Sequence, residues 1–356
     1  MTHHNLTIEA FVKLGDFLRT FCEFITSDNN SEHLNHKWTA RFKTEIEMAQ
    51  HYNGWFSEEN CIHAFQEWGN LLTRENLEAW CENYNLTINK EKVVALIMAG
   101  NIPLVGFHDL LCVLVTGNKA LVKLSSNDQK LIPLLIDYVN SIEPYFEGRV
   151  TFTKEKLEHY DAVIATGSNN TARYFKYYFG KKPHIIRKNR NSVAVLNGKE
   201  SGEELTALGE DIFRYFGLGC RSVSKIFIPN DYNIDTFFKA MFPHNDIINH
   251  NKYANNYDYN KAVYLMSEFK ILDNGFLILK EEKSYGSPIA SLFYEHYNNS
   301  EELKAKLKLE EDNIQCIVSS GFIDNEIAFG QTQKPSLSDY ADGIDTVNFL
   351  LRTSQN

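Results

Sequence analysis

The chain has 356 residues, 43% of them hydrophobic and 23% charged, with a net charge of −10. This is a globular composition with enough chain for two lobes, and its acidic balance excludes the basic stripe of a nucleic-acid binder. The longest apolar runs, 93–99 and 104–115, are broken by Gly100, Asn101, His108 and Asp109, so no membrane span is expected.

Residues 1–5 show no charged stretch leading into an apolar one, so no signal peptide is read there. The six cysteines are scattered without a CxxC pair or a close Cys/His cluster. That pattern suits a reducing cytoplasm and offers no metal site. Residues 1–90 hold all four tryptophans. Leu14, Phe17, Leu18, Phe21 and Cys22 recur at helical spacing, as do Phe65, Trp68, Leu71 and Leu72. The spacing predicts a helical layer.

From Lys92 the pattern changes to strand and helix in alternation. The continuous apolar run 93–99 reads as a strand buried on both faces. The turn Gly100-Asn101-Ile102-Pro103 follows, then a buried helix over 104–115 and a second strand over 120–124. Ser125-Ser126-Asn127-Asp128 caps the next helix, 129–142. Strands are expected at 150–153 and 162–166, then Gly167-Ser168 and a helix over 171–179. Short strands at 184–186 and 192–196 close the first lobe. The second opens with a helix over 203–216, a cysteine loop, and a strand over 223–228. Its middle, 230–270, carries little signal. Further strands are expected near 275–279, 290–294 and 315–319, with an edge strand at 346–351. The fold class is α/β, two doubly wound parallel-sheet lobes under a helical N-terminal layer. The expected boundaries are 1–198 for that layer plus a dinucleotide-binding lobe, 199–325 for a catalytic lobe, and 326–356 for a C-terminal oligomerisation segment.

Four features carry chemistry. Cys220 leaves the expected helix through Gly217 and Gly219, directly before a strand. A thiolate on such a loop attacks a carbonyl and holds the acyl group as a thioester, whereas most cysteines simply pack. Asn101 stands at the carboxyl end of the first strand, where ligand crevices form in parallel sheets. Its amide suits an oxyanion, with the backbone N–H of Cys220 as second donor; the plainer reading is a turn residue. Thr166-Gly167-Ser168 opens a helix whose N-terminus suits a pyrophosphate, although no GxGxxG fingerprint follows any strand. Lys123, Ser125 and Ser126 end the second strand where an adenosine ribose is met. They offer a cation and hydroxyls rather than an acid, which favours NADP(H) over NAD.

Together these segments resemble the aldehyde dehydrogenase superfamily. Met98–Leu104 is similar to its Asn-bearing turn, 121–126 to its Lys-Pro-Ser strand end, 165–168 to its Thr-Gly-Ser turn, and Gly219-Cys220 to its nucleophile loop. Within it, 100–108, 220–225 and 339–345 look most like the LuxC-type acyl-CoA reductases, in matching order from about residue 91 onward. Two departures stand out. The Glu-Leu-Gly-Gly segment, whose glutamate activates water, corresponds to 187–192, which holds no carboxylate; the acyl-enzyme is then expected to survive hydrolysis. The Glu-x-Phe-Gly-Pro segment corresponds to 283–288, with Lys283 in the glutamate's place and Glu281 or Glu282 as substitutes.

The resemblance implies NADPH-dependent reduction of an acyl-CoA, of fatty type, to the aldehyde. Cys220 and Asn101 are the catalytic residues; Lys123, Ser125, Ser126, Thr166, Gly167 and Ser168 bind cofactor. It also implies a homo-oligomer, dimer or tetramer. The rivals are an aldehyde dehydrogenase or acyl-phosphate reductase of the same superfamily, and a non-catalytic acyl-binding subunit. A free thiol, with pKa about 8.5, needs a neighbour to ionise at neutral pH. Arg221, His108 and His184 are candidates, and none is assigned as the base.

Overall fold

The computed structural model describes residues 3–27, 36–86 and 90–355; parts of the expected helical layer (1–2, 28–35 and 87–89) lie outside them. Residues 1–188 with 336–356 form one compact unit, and residues 189–335 a second.

The first unit is built on a five-stranded parallel sheet, order β3-β2-β1-β4-β5. Its strands are β1 (Val93–Ile97), β2 (Lys119–Lys123), β3 (Val150–Phe152), β4 (Ala162–Thr166) and β5 (His184–Arg187). Strand β1 lies at the centre, where an unbroken apolar run is required. The helical layer is α1 (His3–Thr26), α2 (His36–Tyr52), α3 (Glu58–Leu71) and α4 (Arg74–Cys81). Ser57 and Thr73 start the last two by accepting from Asn60 N and Asn76 N, ordinary N-caps. The helical stripe predicted on α1 is core: Leu14, Leu18 and Phe21 are fully buried. Phe17, Phe21, Phe42 and Tyr138 form a ring cluster, the last from α6 (Leu131–Ile142).

One face of this sheet is covered by α5 (Phe107–Val115), the other by α7 (Asn169–Phe179) and the segment around Leu157 and Tyr160. No helix or strand lies between Phe152 and Ala162, so β3 returns to β4 through coil.

The second unit holds a six-stranded sheet, order β11-β6-β7-β10-β9-β8. It comprises β6 (Asn191–Val195), β7 (Val223–Pro229), β8 (Ile271–Asp273), β9 (Ile278–Glu281), β10 (Ser291–Tyr297) and β11 (Ile314–Val318). All pairs are parallel except β8 with β9. Helix α8 (Gly202–Phe213) opens with a capping box between Ser201 and Glu204. It covers one face together with α9 (Ile234–Met241). Leu303 and Leu307 of α11 (Ser300–Leu309) cover the other.

Several expectations need correction. The strand at 192–196 does not close the first lobe: 191–195 pairs with β7 and β11 in the second sheet. The boundary therefore falls near residue 189 rather than 198. The oligomerisation strand at 346–351 is a helix, α12 (Thr346–Gln355), whose Val347 and Leu350 are buried at helical spacing. It packs on α5 within the first unit. The expected helix 203–216 ends at Phe213, because Tyr215 and Phe216 turn left-handed. The segment with little signal contains α9, 3-10 turns and α10 (Asn251–Met266), and the short antiparallel β8 follows it.

Candidate active site

In the first unit the expected residues gather on one edge. Ile97 is in register with Lys123 of β2 and Ala165 of β4, so the carboxyl ends of three neighbouring strands line up. Asn101 follows β1, Lys123 ends β2, and Thr166 ends β4. This is the edge where parallel sheets hold ligands.

Tight local contacts set its loops. A Cβ on Gly100 would lie 2.7 Å from Ser125 Cβ and 3.1 Å from Asp128 N, so only glycine lets the Asn101 turn sit against the Ser125 turn. Asn53, buried in the helical layer, reaches both loops: its Nδ2 donates to Gly100 O at 3.4 Å and to Asn127 O at 3.3 Å. Leu104, at φ 59°, carries the chain from this turn toward α5. Nothing in the sequence marked Asn53.

Ser168 caps α7 by accepting from Thr171 N at 3.2 Å. Gly167 lets the helix fold back, since a Cβ there would meet Phe175 at 3.0 Å. Lys123 Nζ donates to Glu155 O at 3.3 Å. Ser125 Oγ accepts from Asn127 N at 3.2 Å, and Ser126 is exposed. Asp128, two residues before the N-cap Lys130, ties down the start of α6: its Oδ1 accepts from Leu131 N at 3.2 Å. Asp128 is 5% exposed and burial raises its pKa. The one carboxylate in the Lys123–Asp128 turn is thus committed inward. An ammonium, hydroxyls and the start of a helix remain, a donor set that fits a phosphate-bearing dinucleotide.

Two histidines considered as bases have other roles. His184 begins β5, at the end of the sheet opposite Thr166, and its Nδ1 lies 2.8 Å from Lys182 O. His108 Nε2 meets Leu337 O at 2.9 Å among Trp68, Trp80 and Tyr340. Burial lowers its pKa, against the raising effect of Asp109. Tyr340 accepts from Trp80 Nε1 and bonds Tyr84 OH, both at 2.7 Å. Arg187, the buried end of β5, pairs with Asp109 and donates to Thr346 Oγ1 at 3.0 Å. The stretch expected in place of the water-activating segment thus begins with an anchor for α12.

In the second unit Cys220 sits before β7, at the amino edge of the sheet, and is exposed. Tyr215, Phe216 and Gly217 all take left-handed φ, at 55°, 57° and 72°. For two aromatics this is strained. Their rings are buried, and that of Phe216 lies 4.2 Å from His250. The next residues close a turn in both directions: Ser222 N donates to Gly219 O at 3.0 Å, and Gly219 N donates to Ser222 Oγ at 3.3 Å. Cys220 and Arg221 form its tip. Arg221 Nε is turned to Thr332 O at 2.5 Å.

The tip is braced from both sides. Asp211, buried, accepts from Gly330 N at 2.6 Å and Thr332 N at 2.9 Å, fixing the segment that holds Arg221. Burial raises its pKa. Ser192 Oγ donates to Cys220 O at 2.9 Å and lies 2.9 Å from Cys316 Sγ. The loop after β9 returns to this same edge. Lys225 Nζ donates to Lys283 O at 2.8 Å, Ser224 Oγ donates to Tyr285 O at 2.8 Å, and Gly286 lies against Asn191. Lys225 is fully buried and neutralised by Glu295 at 2.6 Å. Glu282 is held by Lys280 and the amides of Lys283 and Ser284, and the Lys280 bond leads in lowering its pKa.

The fold is that of the aldehyde dehydrogenases. Aldehyde dehydrogenase 21 from Physcomitrella patens, solved with succinate, superposes at TM-score 0.64 and 12% identity, covering 99% of this chain and 89% of its own. Aldehyde dehydrogenase C from Pseudomonas syringae, solved with NAD+ and octanal, gives 0.61 at 12% identity, covering 90% and 73%. An NAD-dependent aldehyde dehydrogenase from Sinorhizobium meliloti gives 0.62 at 10%, covering 94% and 73%. Within that fold the sequence is similar to a particular branch: the family model for acyl-CoA reductase (LuxC) matches residues 77–242, a stretch containing Asn101, Lys123, Ser125, Ser126, Thr166, Gly167, Ser168 and Cys220 but not the 281–288 segment. A long-chain acyl-protein thioester reductase from Aliivibrio fischeri is 24% identical over 246 residues, 62% of this chain and 47% of that relative. The chain thus spans about half the relative's length. The resemblance read from the motifs is carried by both findings.

Among the described residues no group of three or more His, Cys, Asp or Glu could hold a metal, and no helix is long and apolar enough to cross a membrane.

Proposed function

We propose that this chain reduces a thioester-activated fatty acyl group, in the first instance an acyl-CoA, to the aldehyde through an acyl-enzyme on Cys220. The observation that carries this is the exposed thiol on a braced turn before β7, in a chain whose other motifs follow the acyl-CoA reductase order.

In this reading Cys220 sulfur attacks the thioester carbonyl, the C–S bond to the donor breaks, and the donor thiol leaves with a proton. Exchange of one thioester for another is nearly neutral in energy, so rate enhancement comes from orientation and from stabilising the tetrahedral oxyanion. Asn101 and the N–H of Cys220 are assigned that second task. NADPH, when bound, supplies the hydride that takes the acyl group to the aldehyde level. Lys123, Ser125, Ser126 and Thr166-Gly167-Ser168 are assigned to hold it. The preference for NADPH rests on the inward commitment of Asp128, which leaves a cation and hydroxyls in that turn. The relative's name adds a protein-bound thioester as a second donor to be tested. The proposal keeps the cytoplasm as location, a compartment that holds an exposed thiol reduced, and a homo-oligomer, dimer or tetramer, to be read by light scattering.

Intact-mass spectrometry after incubation with acyl-CoAs of graded length should show one acyl adduct, mapped to Cys220 and absent in Cys220→Ala. Added NADPH should remove it with release of aldehyde. A wild-type chain that never acquires the adduct, yet oxidises aldehyde or reduces acyl phosphate, would assign it to the sister activities. Acyl binding with neither adduct nor turnover would make it a carrier.

A further inference from the structure

The six cysteines divide by place. Cys22, Cys61, Cys81 and Cys112 are buried in the first unit. Burial pushes the first three up to about 12 and Cys112 well above its ordinary value, so these thiols are inert toward oxidants. Cys220 and Cys316 are the two solvent-reached thiols, and both lie in the second unit. They also share a neighbour. The Ser192 hydroxyl bonds the backbone carbonyl of Cys220 and the sulfur of Cys316, each at 2.9 Å, which puts Cys316 Sγ two hydrogen bonds from the Cys220 backbone. Cys316 is on β11 and Ser192 on β6, paired strands that fix Cys316. Cys220 is at the exposed tip of the 219–222 turn, preceded by Gly217 and Gly219, and its carbonyl is the group that Ser192 holds.

We propose that Cys220 and Cys316 form a reversible disulfide when a hydroperoxide oxidises the exposed thiol, Cys316 acting as the resolving partner that keeps Cys220 from irreversible oxidation. The thiolate of Cys220 attacks one peroxide oxygen. An S–O bond forms, the O–O bond breaks, and hydroxide leaves, giving a sulfenic acid. Cys316 sulfur then attacks the Cys220 sulfur; an S–S bond forms, the S–O bond breaks, and hydroxide takes up the thiol proton as water. Two thiols lose two electrons in all, and the peroxide is reduced to two waters. A disulfide needs the two Cα atoms within about 7 Å, so the proposal requires the Cys220 turn to release its bond from Ser192 and close on Cys316, with Gly217 and Gly219 as the pivot. A cytosolic disulfide of this kind is transient, which suits a redox response. The inference needs only that Cys220 react with peroxide, so it stands apart from the acyl chemistry.

The test uses the full chain and its Cys316→Ser and Cys316→Ala variants. Each is exposed to graded hydrogen peroxide, alkylated and digested without reductant for peptide mass mapping. Wild type should give a Cys220–Cys316 linked peptide, lighter by two hydrogens, and dithiothreitol should restore alkylation of Cys220. Both variants, melting as wild type does, should carry Cys220 to the sulfinic acid at the same dose, without recovery. Cys220 passing to sulfinic acid in wild type as readily as in the variants, with no linked peptide, would overturn the proposal, as would a Cys220 that peroxide leaves unmodified. A missing acyl adduct in the mass experiment above would sink the reductase reading and leave this one intact.

Discussion

The two sheets carry their proposed site residues at opposite ends of their strands. In the first unit, Asn101, Lys123 and Thr166 stand at carboxyl ends of parallel strands, which is the rule for open α/β sheets. In the second unit Cys220 stands at the amino edge, where the chain enters β7, and the loop after β9 runs back to meet it. The first edge is held by close backbone approach: Gly100 on the Ser125 turn, with Asn53 tied to both. The second is held by side chains that reach in from other elements, Asp211 through Thr332 and Ser192 through the Cys220 carbonyl. A site made at carboxyl ends follows from topology, whereas one at an amino edge must be built by specific contacts.

Four perturbations sharpen that contrast, taken from the largest expected effect downward. Asn101→Ala should lower the reduction rate about 10²–10³-fold with melting unchanged, the loss typical of one oxyanion donor; a rate within a few-fold of wild type would remove Asn101 from catalysis. Gly100→Ala forces a Cβ into Ser125 and Asp128 backbone and should destabilise the first unit by about 1–3 kcal/mol. Adding Ser125→Gly should recover much of that in urea unfolding, because the clash with the Ser125 side chain is then gone. Asp211→Ala leaves two amides without their acceptor, which costs about 1–3 kcal/mol when they stay buried. Its sharper readout is the iodoacetamide labelling rate of Cys220, expected to change as the Thr332–Arg221 brace loosens.

The smallest effect concerns pH. Burial lowers the pKa of His108 from its ordinary 6.5, with Asp109 and the Leu337 carbonyl opposing. As pH falls below 6.5 the unfolded chain therefore takes up this proton first. The stability contribution is full above that value and is lost as pH drops toward the folded pKa. His108→Gln should flatten the melting-temperature profile in that window, and an unchanged slope would assign the acid sensitivity elsewhere.

Most strands were legible because parallel-sheet strands are buried on both faces and read as apolar runs, as 93–97 and 162–166 do. The short β8 was not, since three residues with one buried neighbour strand leave no periodicity. The tail 346–351 read as a strand because Val347, Phe349 and Leu351 alternate, while burial follows Val347 and Leu350. At the site, glycines and the cysteine marked their own turns. Asn53, Asp211 and Ser192 left no mark, because each acts on backbone far away in sequence, and spacing carries no trace of such a contact.

The left-handed aromatic pair before the thiol bears on any attempt to make this protein more heat-resistant. Glycine at Tyr215 or Phe216 would relieve backbone strain of about 1–2 kcal/mol per residue, the usual repair for such torsions. It would also empty two ring-sized sites under the turn, including the one filled against His250, and an emptied aromatic site costs about 3–5 kcal/mol. Repair by backbone logic would therefore weaken the mount that presents the sulfur, and smaller changes of ring, such as Phe216→Tyr or Tyr215→Phe, are the gentler way to tune it.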